Sequence, residues 1–424
     1  MRAWFFTESA YPDAWDKDPV SLRITLPSKH IDRDVAANLL NRHLDEWAMC
    51  DELGLDIMLN EHHSTATCLT SSCTLPLAIL ARETKKSRLL VLGIPIANRT
   101  DPVRIAEEMS YIDLISRGRI EMGFVKGIPY EIASANSQPV RMMDRFWEAH
   151  DLILKAMSTR DGPFNWEGRY FNYRQVNTWP RPYQEPHPKV WITSGSPSTG
   201  IEVALRQHRV ATVLSQLNAK NLYHAYRLET ARMGLPDPGP DRFAYLALVG
   251  VGDTQAEGET FVKKVKGYLE TTGIVAEPFT NPPGYASQAA NVQALKKGQT
   301  SGGVGAHFQV TMKNGRQISQ ATASVAELVD AGVCFAGTPD QVVAQIKTFN
   351  DYVGGCGNLL VMLQGGTLDH KDTVKNLTLF SREVLPRIQN LGLVATPAME
   401  EIEAVRRQAQ KGNQVQKGNL AAAK

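Results

Sequence analysis

The chain has 424 residues, of which 43% are hydrophobic and 21% charged, and its formal net charge at pH 7 is +2. This ordinary globular composition with nearly balanced charge gives no reason to expect nucleic acid or a membrane surface as a partner. The five cysteines form no C-x-x-C pair, and neither a secretory leader nor a run of eighteen apolar residues is evident, so we expect a cytoplasmic protein with free thiols.

Short apolar runs alternate with amphipathic helical stretches along most of the chain. The predicted strands are, in chain order, RAWFF (2–6), LDIMLN (55–60), LLVLGIPI (89–96), RIEMGFV (119–125), KVWITS (189–194), RVATVLS (209–215), FAYLALVGVG (243–252) and GNLLVMLQ (357–364). The clearest helices are predicted over residues 34–54, 101–118, 141–157, 338–354 and 373–389, and residues 164–173 are predicted to form a small hairpin. Eight strands interleaved with helices indicate an α/β fold, most economically a TIM (β/α)8 barrel with insertions, and a doubly wound sheet is the alternative.

Two segments do not follow this alternation. Residues 273–332 are rich in Gly, Ala, Gln and Pro, which is typical of a mobile lid or an inserted excursion. Residues 393–424 are strongly polar, and we expect a loose helix or a disordered tail there. We therefore predict a barrel of residues 1–392 that carries an inserted mobile segment at about 273–332, followed by a C-terminal tail.

The carboxyl ends of barrel strands are where functional side chains are expected. Strands two to five end in Glu61-His62-His63, Ala97-Asn98-Arg99, Val125-Lys126-Gly127 and Ser194-Gly195-Ser196. Neighbouring strand residues point to opposite faces, so His62 and His63 are not expected to share a metal ion, and we predict no metal site. One imidazole that exchanges protons in the barrel mouth is more consistent with the pattern, and a hydrogen-bonded structural histidine is the plainer alternative.

The fifth strand end, WITSGSPSTG (191–200), predicts an anion site. A strand, a turn of small residues and a helix in succession would expose backbone N–H groups at the helix N-terminus. Ser196 and Thr199 would add hydroxyl groups, and Lys126 at the neighbouring strand end would supply a cation. The alternative is an ordinary N-cap at Ser196 or Ser198 together with a solvated lysine. Taken together on adjacent strands, these residues favour a phosphate site.

Four blocks of sequence resemble the bacterial luciferase-like, flavin-dependent monooxygenases. They are GLDIMLNEHH (54–63), the long block GIPIANRTDPVRIAEEMSYIDLISRGRIEMGFVKG (93–127), VWITSGSPST (190–199), and AGTPDQVVAQIKTF (336–349) continued by LFSREVLP (379–386). The resemblance covers about residues 1–390. It implies a two-component, alkanal-monooxygenase-like TIM barrel in which reduced FMN and O2 form a C4a-peroxyflavin that oxygenates a small organic substrate. It also implies a homodimer or homotetramer.

The resemblance further assigns roles to residues at the strand ends. His62 matches the histidine that transfers protons beside the flavin. The residues that match or adjoin the flavin contacts are Glu61, Asn98, Lys126, Ser194, Gly195, Ser196 and Thr199. His63, Val125 and Tyr130 are the candidates for the substrate pocket, and Arg145 is a secondary one for which ordinary packing is as good an explanation.

At three positions this chain has a different residue from the luciferases, and these differences bear on the expected phosphate site and substrate. Lys126 stands where they have an arginine, and lysine lacks the planar fork that grips a phosphate. Val125 replaces a reactive cysteine, and Gly195 replaces a carboxylate. A long-chain aldehyde substrate and light emission are therefore not expected.

Other functions remain open from the sequence. No G-x-G-x-x-G follows a strand, so an NAD(P)H-dependent flavin reductase is expected as a separate partner. An oxidoreductase of the same superfamily that uses the deazaflavin coenzyme F420, a flavin-binding protein without catalysis, and a metal hydrolase are the alternatives.

Overall fold

The structure is a computed structural model that describes residues 1–296, 309–394 and 396–422. Residues 297–308 of the predicted inserted segment and the last two residues of the predicted tail lie outside the described residues. The strands are β1 (Arg2–Phe6), β2 (Asp56–Leu59), β3 (Leu89–Ile94), β4 (Ile120–Phe124), β5 (Phe164–Glu167), β6 (Asn172–Val176), β7 (Val190–Thr193), β8 (Arg209–Val213), β9 (Phe243–Val251), β10 (Gln309–Thr311), β11 (Gln317–Ser319), β12 (Cys334–Gly337) and β13 (Asn358–Met362).

Helices cover most of the sequence between the strands. They are α1 (Arg33–Leu53), α2 (Thr74–Glu83), α3 (Pro102–Ser116), α4 (Glu131–Ser134), α5 (Met142–Ser158), α6 (Pro197–Leu205), α7 (Gln216–Arg232), α8 (Gln255–Val265), α9 (Gly267–Thr271), α10 (Gln288–Lys296), α11 (Val325–Asp330), α12 (Pro339–Val353), α13 (His370–Leu379), α14 (Leu385–Ile388) and α15 (Pro397–Ala422). A π-helical turn at Phe380–Val384 joins α13 to α14. None of the helices in the described part of the chain is long and apolar enough to cross a membrane.

Eight parallel strands close into a barrel. The hydrogen-bonded order is β9-β13-β1-β2-β3-β4-β7-β8, and β8 pairs with β9 to complete the ring. The eight predicted strands are those of the barrel, and the predicted hairpin is the antiparallel pair β5–β6. The prediction of a TIM barrel is therefore confirmed, and the alternative of a doubly wound sheet is wrong.

One strand of this sheet was not predicted. β12 pairs in parallel with the second half of β9, from Leu248 to Val251, while β8 pairs with its first half, from Phe243 to Leu246. β9 has nine residues and β8 has five. The second half of β9 therefore extends beyond β8, and its unpaired edge is available to pair with a further strand. The short apolar run of β12 is its sequence signal, but four residues are too few to separate a strand from a loop.

Alternation along each strand divides the buried side chains between two layers. Phe5, Leu89 and Val91 pack among the surrounding helices, whereas Trp4 and Leu90 pack within the barrel. This is the two-residue period of a strand covered on both faces. As a consequence, the last inward side chains of the strands form the floor of the barrel mouth.

The segment that leaves α8 covers part of this mouth. The N–H of Leu22 donates to the carbonyl of Ile274 at 3.0 Å, and Val275 packs against Tyr130 in a small buried cluster. α9, α10 and the β10–β11 hairpin all belong to this segment. Residues from it are thereby held beside the ends of the barrel strands.

Candidate active site

A cavity of about 500 Å³ opens at the carboxyl ends of the barrel strands. Inward side chains of the strands give it an apolar floor, formed by Phe6, Met58, Leu92, Leu246 and Leu360. Seven of the residues singled out from the sequence line it: Glu61, His62, Val125, Lys126, Ser194, Gly195 and Thr199. Asn98, Ser196, His63 and Tyr130 are not among the lining residues.

His62 lies three residues beyond the end of β2 and points into the cavity. Its backbone N–H donates to the carbonyl of Thr70 at 3.0 Å, which fixes the loop. Nδ1 lies 2.7 Å from Oε1 of Glu131, and Nε2 lies 3.6 Å from Oε2 of Glu8. A carboxylate accepts only, so Nδ1 carries the proton toward Glu131 and Nε2 is left on the side of Glu8. Burial lowers the pKa of His62, but the charges of Glu8 and Glu131 outweigh it and raise that pKa above its ordinary value.

Glu131 is itself held in place. Its Oε2 accepts a hydrogen bond from the N–H of Ile128 at 3.0 Å, and the side chain is almost fully buried. The hydroxyl of Tyr130 lies 3.4 Å from Nδ1 of His62 and is contacted by the guanidinium of Arg23. Tyr130 thus belongs to the layer behind the imidazole. The geometry fixes the ring of His62 and its tautomer.

Glu61 and His63 face a different set of partners. Glu61 Oε1 is contacted by Arg99 and lies 3.1 Å from Nε2 of His63. Its Oε2 accepts from the backbone N–H of Cys73 at 3.2 Å, which ties the loop to the start of α2. Burial raises the pKa of Glu61, but the hydrogen bond from His63 and the charge of Arg99 hold it below its ordinary value. Both carboxylate oxygens are therefore used to hold the loop that carries His62.

Lys126 is a half-buried cation that packs against an aromatic residue of the covering segment. Its Nζ donates to the backbone carbonyl of Tyr285 at 2.8 Å and lies 3.5 Å from the centre of the Tyr285 ring. The Tyr285 hydroxyl in turn donates to the carbonyl of Gly127 at 2.9 Å. No carboxylate of the described residues forms an ion pair with Lys126. Burial alone lowers the pKa of Lys126 to about 8.

The N-terminus of α6 forms the neighbouring wall. Ser196 is its N-cap, and the hydroxyl oxygen of Ser196 accepts from the N–H of Thr199 at 3.3 Å. The N–H of Ser196 donates to the hydroxyl of Ser194 at 3.1 Å. A Cβ on Gly195 would meet nothing within 4 Å, so open space lies over this turn. The first turn of a helix leaves backbone N–H groups free for an anion.

Asn98 lies behind the loop that carries Lys126. It is buried, and neither side-chain atom has a hydrogen-bond partner among the described residues. Its Nδ2 would lie 2.9 Å from a Cβ on Gly127, which places it directly behind the loop of Lys126. Arg145 holds the same region, because its Nε donates to the carbonyl of Ala97 at 2.6 Å.

Together, these features of the cavity are compatible with the phosphate and the ring system of FMN. A half-buried lysine without a carboxylate partner, open space over Gly195 and a helix N-terminus suit the phosphate. The apolar floor suits a flat ring system. Within the described residues, no group of three or more His, Cys, Asp or Glu side chains is arranged to hold a metal ion.

Sequence reasoning did not single out Glu8, Asn60, Glu131 or Tyr285. Glu8 follows β1 as Glu61 follows β2, so extending the strand-end rule to the first strand would have found it. Asn60 stands next to a residue that was named. Glu131 and Tyr285 reach the cavity from segments far along the chain, and no local pattern marks them.

The sequence of this chain is similar to the sequences of known proteins. Residues 22–354 match the family model described as luciferase-like monooxygenase. A relative from Acinetobacter baylyi, named as the oxygenase component of flavin-dependent trigonelline monooxygenase, is 25% identical over 173 residues, which are 40% of this chain and 47% of that protein. The chain spans at most 63% of the length of the first curated relatives that it matches.

Solved structures resemble the fold over almost their whole length. The oxygenating constituent of 3,6-diketocamphane monooxygenase from Pseudomonas putida, in complex with FMN, superposes with a TM-score of 0.65 at 19% identity, covering 91% of this chain and 97% of that one. An F420-dependent secondary alcohol dehydrogenase in complex with an F420-acetone adduct gives a TM-score of 0.60 at 13% identity, covering 92% and 100%. At these low sequence identities the similarity is evidence for the fold alone.

Proposed function

Because the chain belongs to the luciferase-like monooxygenase family, we propose that it is the oxygenase of a two-component flavin-dependent monooxygenase. It would use reduced FMN, supplied by an NAD(P)H-dependent flavin reductase, and O2 to oxygenate a small organic substrate. The observation that carries the proposal is one cavity that holds a half-buried lysine without a carboxylate partner, a helix N-terminus, and an imidazole held by a carboxylate.

The chain's own groups would hold the cofactor from one side of the cavity. The ammonium of Lys126 and the free N–H groups of α6 would bind the phosphate, with the hydroxyl of Thr199 beside them. The apolar floor would pack against the ring. Reduced FMN, when bound, supplies the electrons with which O2 is activated.

His62 would handle protons at Nε2. Because Glu131 accepts the hydrogen of Nδ1, the ring presents Nε2 to the cavity and gains a proton there without changing its orientation. The buried carboxylates of Glu8 and Glu131 stabilise the imidazolium and raise the pKa of His62, which favours uptake of this proton.

Tyr285 would keep water out of the cavity. Its ring covers Lys126 and its hydroxyl bonds to Gly127. Excluding water protects reactive oxygen chemistry from side reactions.

Replacing Tyr285 by alanine is expected to raise the fraction of consumed O2 that appears as H2O2. The change opens the wall over Lys126, while Tyr285→Phe removes only the hydroxyl contact and should raise that fraction less. The measurement is H2O2 released per O2 consumed. An unchanged ratio in Tyr285→Ala would reject a water-excluding role for this segment.

The affinity for FMN is expected to fall as the pH rises from 7 to 9. Lys126 has a pKa of about 8 in the free protein, so its ammonium is present below that pH and lost above it, while the phosphate stays doubly charged. If the charged form binds, affinity falls about tenfold over this range. Titrating oxidised FMN by fluorescence quenching checks this, and Lys126→Arg should show no such fall. A fall of equal size in Lys126→Arg would assign it to another group.

The proposed function is tested by O2 consumption. The chain, FMN, NAD(P)H and a generic flavin reductase are assayed against a panel of aldehydes, aromatic compounds, and sulfur and nitrogen compounds. Substrate-dependent O2 uptake with an oxygenated product is the expected result. A parallel titration compares FMN with coenzyme F420. Tight binding of F420 alone, with hydride transfer in the absence of O2, would replace the proposal by the deazaflavin alternative.

A further inference from the structure

One carboxylate in the cavity is left only partly satisfied by the protein. Glu8 is 3% exposed and lines the cavity. Its Oε2 accepts a hydrogen bond from Nδ2 of Asn60 at 2.9 Å. In the described ranges of the chain, no hydrogen bond reaches its Oε1, and its one cationic partner is His62, whose Nε2 lies 3.6 Å from Oε2. When His62 is neutral, this buried carboxylate has no cationic partner, and that state is costly unless a ligand compensates the charge.

The imidazole of His62 adds a second acceptor at the same place. With Nδ1–H directed to Glu131, Nε2 lies 3.6 Å from Oε2 of Glu8. In the imidazolium an Nε2–H faces Glu8 and compensates its charge, whereas in the neutral ring Nε2 carries a lone pair, and an ammonium group can take the place of that proton. Two acceptors cannot bond to each other, but a ligand with several N–H groups can donate to both. The pair therefore forms a receptor for a donor-rich group.

The cavity contains groups of both charges. Lys126 and the start of α6 supply the positive groups, whereas Glu8 and Glu131 lie around His62. The floor of the cavity is apolar. A substrate carboxylate placed at Glu8 would meet like charge, which disfavours it.

We propose that the substrate of this site is a small organic cation, an apolar or aromatic body that carries a protonated amine. The ammonium group donates to Glu8 and to Nε2 of His62, and the body packs on the apolar floor. This inference rests on the proposed function, because it assumes that the cofactor phosphate occupies the site at Lys126 and the start of α6.

The test uses three probes with the same ring: benzylamine, benzyl alcohol and benzoate. Each is titrated calorimetrically at pH 7 into the full chain, with and without FMN. Benzylamine is expected to bind about 10-fold more tightly than benzyl alcohol, because a charged partner strengthens the hydrogen bonds. Benzoate is expected to bind most weakly. Glu8→Gln should abolish the preference for benzylamine, whereas the exposed Glu83→Gln should keep it.

Several outcomes would overturn the inference. They are benzoate binding as tightly as benzylamine, no binding of any of the three probes, and an unchanged preference in a folded Glu8→Gln variant. The comparison of probes on the unmodified chain decides the question even if that variant does not fold. FMN titration separates the two proposals: normal FMN binding without a preference for benzylamine refutes this inference alone, and a preference for benzylamine without FMN binding refutes the proposed function.

Discussion

Replacing His62 by alanine is expected to lower turnover about 10²–10⁴-fold while FMN still binds, because a positioned acid–base group typically contributes that much. We propose that Lys126 and α6, rather than the imidazole, contact the phosphate of the cofactor, so binding and turnover should separate. Turnover is measured on the substrate that the O2-consumption panel identifies, and binding by fluorescence titration.

The neighbouring imidazole provides the matched comparison. His63 bonds to Glu61 and does not line the cavity, so His63→Ala should reduce turnover far less. Glu131→Gln keeps the shape of its side chain and removes its charge, and it should shift the acidic limb of the pH–rate profile downward, since the imidazolium loses a stabilising carboxylate. Near-normal turnover in His62→Ala would exclude the proton-transfer role.

Replacing Lys126 by alanine is expected to weaken FMN binding about 10- to 150-fold, the range for losing one charge-assisted hydrogen bond. The lysine has no carboxylate partner in the described residues, so its removal strands no buried counter-charge and the fold should be retained. The exposed Lys86→Ala is the control and should bind FMN normally. Riboflavin, which lacks the phosphate, should bind the Lys126→Ala variant and the unmodified chain alike.

The riboflavin comparison decides what Lys126 contacts. If riboflavin and FMN lose affinity equally in Lys126→Ala, the lysine acts on the ring and the phosphate assignment is wrong. An unchanged affinity for FMN would remove Lys126 from the site altogether.

The barrel was predictable because its signals are local. Short apolar runs between helical stretches predict the strands, and the polar residues at the strand ends predict that His62, Lys126 and the turn before α6 lie at one mouth. The N-cap at Ser196 follows from its own sequence. These features depend on neighbours within a few residues.

The partners of these residues were not predictable in the same way. Glu131 is 69 residues from His62, and Tyr285 is 159 residues from Lys126. Which side chains meet across such distances depends on how loops pack over the barrel, and one sequence carries no record of it. β12 was not predicted for a related reason, because it can pair only with the part of β9 that extends beyond β8.

The pairing of β12 with β9 also bears on how such a protein could diversify. Gly252 donates to the carbonyl of Gly337 at 3.0 Å, so the stretch between them leaves and rejoins the barrel at neighbouring backbone positions. That stretch contributes Tyr285 and Gln320 to the cavity, while His62, Glu131 and Glu8 lie outside it. Recombination at these two glycines would exchange one wall of the cavity and leave His62, Glu131 and Glu8, the residues proposed to handle protons, unchanged, so substrate range could evolve separately from the proposed chemistry.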